Sequence, residues 1–207
     1  SNQTLPSDDD WTLTSTLTFY ESDVEIRNST FSSNAAEDVI NIIRSDFSIE
    51  NIVMNDSKSD GIDIDFSNGS ISESSFSNIG NDAIDLSGAI VSLEKIRSDS
   101  SGDKGISIGE NSTVVANEIR INKSRIGFAI KDSSYLELKN SSVTDSDIGF
   151  VVFRKKHEFL PAKADVWRCA SKNVSKEYLL EKESTLILDG TSVEANSQDL
   201  RDDLYEK

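Results

Sequence analysis

The chain has 207 residues and sets 21 Lys and Arg against 37 Asp and Glu, for a net charge of −16. A surface of that sign excludes nucleic acid and anionic membrane as partners, because both need a basic face. Neither a signal peptide nor an apolar run of transmembrane length is read in the sequence, and a lone cysteine, Cys169, leaves no internal disulfide to form.

In chain order, residues 1–17 are expected to form an N-terminal cap strand around Trp11-Thr12-Leu13-Thr14, with a first coil from Thr18. Blocks of 22 residues then open at Ile40-Asn41-Ile42, Ile62-Asp63-Ile64, Ile84-Asp85-Leu86, Ile106-Ser107-Ile108 and Phe128-Ala129-Ile130, and a sixth at Phe150-Val151-Val152. They close on Gly61, Ala83, Gly105, Gly127 and Gly149. The apolar–polar–apolar opening is strand alternation, which sends positions one and three inward and position two outward. A second apolar cluster per block (Phe47/Ile49/Ile52, Val91/Leu93/Ile96, Tyr135/Leu136/Leu138) predicts a further strand, and Ser-, Asn- and Asp-rich pieces supply the turns.

After residue 150 the pattern breaks at Arg154-Lys155-Lys156-His157, then resumes as strand at Ala164–Trp167 and Ser184–Leu188. Val151 and Phe153 are apolar at outward positions, so the C-terminal region is expected to cover them. A short helix is predicted over Ser197–Tyr205 from its capping serine and apolar i, i+4 pair. Trp167, Phe159 and Tyr205 are read as packing residues of that cap. A fixed period near 20 residues means that one supersecondary unit stacks on the next. With no leucine-rich signature, the expected fold is all-β: a single right-handed parallel β-helix of 22-residue coils. The expected organisation is an N-terminal cap over 1–17, the β-helix over 18–168, and a C-terminal cap and tail over 169–207.

Stacking the blocks aligns Asp38, Asp60 and Asp82, followed by Lys104, Ile126 and Ile148; Asp63 stacks on Asp85, with Asp65 beside them. Parallel strands lie about 4.8 Å apart, so neighbouring carboxylates would repel by roughly 0.9 kcal/mol even in bulk water. Such a column calls for a cation, a lysine or a retained proton. Paired carboxylates at Asp60 and Asp82 suit general acid–base work on a glycosidic bond. Alternatively Asp38, Asp60 and Asp82 would hold Ca²⁺, the one cofactor to expect. The remaining alternative is an acidic, solvated face with no ligand.

Four motifs, Ser59-Asp60-Gly61-Ile62-Asp63-Ile64, Gly80-Asn81-Asp82-Ala83-Ile84, Gly102-Asp103-Lys104-Gly105-Ile106-Ser107-Ile108-Gly109 and Gly127-Phe128-Ala129-Ile130-Lys131, resemble the successive coil motifs of polygalacturonase-like glycoside hydrolases. That resemblance implies water-activating roles for Asp60 and Asp82. It also puts Asn81 where the general acid belongs, Lys104 for the site histidine and Ala129 for the substrate arginine, leaving Lys131 as the matching cation. An amide cannot donate the required proton. Over residues 17–190 the Asn/Ser-rich repeats, with Asp65-Phe66-Ser67-Asn68-Gly69 and Lys155–Lys163, look closer to the β-helical regions that accompany spore-coat-protein-H-like modules. This likeness implies a non-catalytic module of unknown ligand, often one part of a longer polypeptide. The stacked acidic column and the long, flat, ladder-like face add the expectation of an extracytoplasmic module that binds glycan or cell-surface polymer, or serves as a rigid scaffold for a neighbouring domain. Asp63, Asp65, Asp85, Lys104 and Lys131 would be its ligand-binding residues. The rival expectation is a polysaccharide hydrolase, lyase or epimerase centred on Asp60 and Asp82.

Overall fold

In a computed structural model, which describes residues 13–201 and Leu204, the repeats wind into a solenoid with a triangular section. The first face stacks β1 (Leu17–Tyr20), β3 (Asp38–Ile43), β5 (Asp60–Asp65), β8 (Ile84–Ser87), the C-terminal halves of β10 (Arg97–Gly109) and β12 (Arg120–Lys131), β15 (Ile148–Phe153) and β18 (Lys176–Leu180). The second is built from the starts of β2 (Val24–Asn34) and β4 (Asp46–Ser57), then β6 (Asn68–Ser72), β9 (Ile90–Glu94), β11 (Thr113–Asn117), β13 (Tyr135–Lys139), β16 (Lys163–Trp167) and β19 (Thr185–Leu188). The third holds the ends of β2 and β4, β7 (Ser75–Ile79), the starts of β10 and β12, β14 (Ser142–Thr144) and β17 (Ala170–Lys172). These pairings are parallel; β20 (Thr191–Ser192) alone turns back antiparallel onto β19.

Register follows the periodicity on the first face, where Ile40, Ile62, Ile84, Ile106, Phe128 and Phe150 are partners in sequence. All six are buried, and the Phe128 and Phe150 rings stack at 5.4 Å between centroids. Each such side chain contributes on the order of 2 kcal/mol by leaving water. The first coil is offset: Leu17, not Thr18, pairs with Ile40, because that step is 23 residues long. The small residue ending each block has a steric cause. A Cβ on Gly61 would lie 2.5 Å from the carbonyl oxygen of Ala83, and one on Gly127 would lie 2.7 Å from that of Gly149.

The 22-residue coils turn at three corners, with a positive-φ residue at each, except where the insertion after Phe153 replaces one. One corner column is Arg44, Phe66, Gly88, Glu110 and Asp132, at 22-residue spacing. Left-handed backbone favours glycine, yet only Gly88 supplies it in this column. Compensation comes from cross-coil bonds such as Arg44 N–H to Asp65 C=O at 3.0 Å and Phe66 N–H to Ser87 C=O at 2.8 Å. Buried serines beside the corners act as further acceptors: Ser67 Oγ takes the Ser45 N–H, Ser134 Oγ the Ser112 N–H and Ser141 Oγ the Ile119 N–H. The serine richness therefore belongs to a buried hydrogen-bond ladder as much as to the turns.

The break at residue 154 is an insertion, since Ile148 pairs with Lys176, a step of 28 residues. The loop is tied to buried Asp132, whose Oδ1 accepts the N–H groups of Lys155 and Lys156 at 2.7 Å each. Strand stacking continues past residue 168 through β18 and β19. The tail then folds onto the outside of the first face. Leu200 and Leu204 pack with Ile126, Ala129, Ile148, Val151 and Phe153, which covers the apolar outward positions as expected. Arg201 and Leu204 are helical, with Leu204 N–H bonded to Leu200 C=O; Trp11, Tyr205 and the other residues of the expected cap strand before Leu13 lie outside the described residues. Trp167 differs from expectation. Its position on β16 points outward, so it stays 40% exposed with its ring against Gly190 rather than in a cap core.

Candidate functional site

The first face carries the acidic columns, and cross-coil hydrogen bonding explains why aspartate stands in them. Asp38 and Asp60 are register partners. Asp60 Oδ1 accepts the Asp82 N–H and the Asn81 side-chain amide, both at 2.7 Å. One coil on, Asp82 Oδ1 accepts the Lys104 N–H at 2.9 Å. Each carboxylate thus substitutes for a carbonyl in the ladder. Buried N–H groups need such partners. Lys104 Nζ lies 3.3 and 3.2 Å from the two Asp82 oxygens and also contacts Asp103. Asp82 and Lys104 are only 2% and 4% exposed. Arg125 extends the chain of charges, donating at 2.9 Å to Asp103 Oδ1 and at 2.9 Å to the Leu204 carbonyl.

A second column runs Asn41, Asp63, Asp85, Ser107, Ala129 and Val151. Asn41 donates its amide to Asp63 Oδ2 at 2.8 Å, and Asp63, Asp65 and Asp85 remain partly open. Asp85 Oδ1 is buried with no hydrogen-bond partner among the described residues, and it forms a long ion pair with Lys131 Nζ at 4.0 Å. Ser107 Oγ beside it is also buried and unpartnered. Lys131 reaches back across a coil because Gly109 leaves room, a Cβ there falling 2.7 Å from Lys131 Cε. At the adjoining corner Phe66 is 57% exposed, its ring held over Gly88, whose φ is +64°.

Burial combined with mutual repulsion raises these carboxyls. Desolvation, then the charges of Asp65 and Asp85, push Asp63 up to about 8. Desolvation and Asp60 push Asp38 up to about 7. Asp82 also rises to about 7, driven by burial against the pull of Lys104. Asp60 and Asp65 move up too, mainly through burial. Asp103 moves down, since Lys104 and Arg125 outweigh its burial. Two carboxyls a coil apart cannot both ionise cheaply where water is scarce.

Of the residues expected to act, Asp60 and Asp82 stack but serve as internal acceptors, while Asp63, Asp65 and Asp85 gather on the open side with Lys131 beside them. Among the described residues no group of three or more His, Cys, Asp or Glu side chains is arranged to hold a metal ion, the Asp38, Asp60 and Asp82 set included. Ala129 is covered by the tail, and His157 sits apart, 3.4 Å from Arg201. Sequence reasoning missed Asp103, Arg125, Ser107 and Asp132. The Asp103–Arg125 separation of one period was the available signal for the first two.

A family profile described as "Right handed beta helix region" matches residues 17–159. No curated protein sequence matches the chain significantly. Among solved structures, the catalytic domain of a GH87 α-1,3-glucanase in complex with tetrasaccharides superposes with a TM-score of 0.60 at 12% identity, over 84% of this chain and 46% of that one. The same kind of domain in complex with nigerose gives 0.55 at 11% identity, again over 84% and 46%. The chain thus spans less than half the length of these neighbours. At such identity the likeness concerns the fold. No helix among the described residues is long and apolar enough to cross a membrane.

Proposed function

For a chain that belongs to the right-handed β-helix family, we propose the role of a non-catalytic, extracytoplasmic glycan-binding module, its binding surface being the open acidic end of the first face. One observation carries this reading: Asp60 and Asp82 are committed to cross-coil N–H groups and to Lys104, whereas Asp63, Asp65 and Asp85 stand partly open beside the exposed ring of Phe66. Carboxyls accept hydrogen bonds from sugar hydroxyls, and an aromatic face covers the apolar C–H side of a pyranose; sites for small ligands combine an apolar wall with few placed polar groups. The exposed portions of the partly open Asp63, Asp65 and Asp85 carboxyls are the acceptors a sugar hydroxyl would meet. Attachment to a neighbouring domain of a longer polypeptide is compatible with this role, since a stiff solenoid also positions what is fused to it.

The glucanase neighbours favour a second reading, a polysaccharide-active enzyme. Against it, Asn81 occupies the acid's place and Asp82 is held by a buried lysine. The test is titration calorimetry of the purified chain with α-1,3-linked glucose oligosaccharides and a panel of neutral and uronate oligosaccharides, with and without Ca²⁺, together with chromatography of any products. Saturable binding that is lost in Asp63→Asn/Asp85→Asn, with no product formed, is expected. Product formation that Asp82→Asn abolishes would install the enzyme reading, and binding indifferent to Asp63 and Asp85 would remove the proposed site.

A further inference from the structure

A second feature lies away from the acidic face, at the corner between the second and third faces. Arg97 and Arg120 are register partners on β10 and β12, so their strands are about 4.8 Å apart. Both are exposed, and they line a groove of about 380 Å³ with Glu73, Lys95 and Glu118. The rungs on either side carry small hydroxyl residues, Ser75 and Ser142, so the space around the guanidiniums stays open.

The acidic side chains around this pair are largely engaged elsewhere. Glu73 pairs with Lys95 at 3.2 Å. Asp99, two residues from Arg97 on the same strand face, accepts the Asn122 amide at 2.6 Å. Both Glu94 oxygens accept from Asn117, at 3.0 and 3.2 Å. What sets Arg97 and Arg120 apart is their juxtaposition: they are register partners, both exposed, with no ion pair or hydrogen bond of their own among the described residues. Like charges one strand apart repel, so folding alone gives no reason to place them together. Two guanidinium forks on register-partner positions that line one groove can converge on a single oxyanion, which each can grip with parallel N–H donors.

We propose that Arg97 and Arg120 form an oxyanion-binding site for a carboxylate, sulfate or phosphate group, independent of the acidic face. Glu118 at the groove wall and the net negative charge set its selectivity: a compact oxyanion enters, whereas a large polyanion is repelled by the surrounding surface.

The test is titration of the full chain at low ionic strength with inorganic sulfate, inorganic phosphate and a uronate trisaccharide, read by calorimetry and by arginine side-chain NMR signals. Parallel titrations use Arg97→Gln/Arg120→Gln and Arg97→Lys/Arg120→Lys. Saturable binding by any one of the three anions is expected, weakened about tenfold or more in the Gln pair and partly retained in the Lys pair. The anion that binds tightest identifies the source, a carboxylate of an acidic sugar or an inorganic oxyanion. Both positions are exposed, and equal melting temperatures in the absence of anion check that the variants are folded. Absence of saturable binding by all three anions, or affinity unchanged in the Gln pair, overturns the proposal.

Discussion

The two ends of the first face share one backbone register and differ in nearly everything else. In the early coils the outward column reads Asn41, Asp63, Asp85, and the column beside it Asp38, Asp60, Asp82. In the later coils the same columns read Ala129, Val151 and Ile126, Ile148, and the tail lies over them. Lys104 and Ser107 mark the change. A parallel ladder fixes where side chains stand but is indifferent to their kind, so side-chain chemistry alone decides which half of a face meets solvent and which is covered. The charged chain Asp82–Lys104–Asp103–Arg125, ending on the Leu204 carbonyl, stitches the two halves together.

The largest expected effect comes from breaking that seam. Lys104→Met leaves Asp82 buried without its cation and should cost about 3–5 kcal/mol, as removal of one partner of a buried pair does. Adding Asp82→Asn should restore much of the loss, and denaturant melts of the single and double variants measure both. Next is the covered end: Leu200→Ala should cost about 2–3 kcal/mol, the lower part of the range for a buried leucine, because a chain end can relax. Faster amide exchange in β15 without global unfolding is the signature to seek.

The acidic end should show itself through pH. Asp63, Asp38 and Asp82 titrate at about 8, 7 and 7 in the fold but near 3.8 when unfolded. Between those limits the native state holds more protons than the unfolded chain, so stability falls as pH rises from about 4 to about 8. Asp103, lowered in the fold, acts oppositely and only at the acidic edge of that window. The melting temperature should therefore be higher at pH 5 than at pH 8, and a flat or rising profile would contradict the account. Smallest is Asp63→Asn, which should change stability little at pH 5 and flatten part of the fall toward pH 8.

Much of this was legible because a solenoid repeats. Ile40 through Phe150 revealed the inward column, and Val151 with Phe153 revealed the need for a cover. The corners at Asn51, Asp56 and Asn78 were legible as Asn- and Asp-rich turns, whereas the column of Arg44, Phe66, Glu110 and Asp132 was not, since those residues share no chemistry; cross-coil hydrogen bonds hold them there. Asp60 and Asp82 looked like chemistry because a carboxylate that accepts a backbone N–H and one that activates water have the same letter. Only the 2.7 and 2.9 Å contacts separate those roles. Trp167 misled because an outward position overrode its size.

The most direct test of the central claim is a residue-resolved NMR titration of the full chain with α-1,3-linked glucose oligosaccharides. The account predicts saturable shifts confined to β5, β8 and the Ser107 region of β10, with Phe66 ring signals moving and the Leu200–Leu204 tail silent. Shifts centred on the tail or the other two faces, or none with any glycan of the panel, would contradict it.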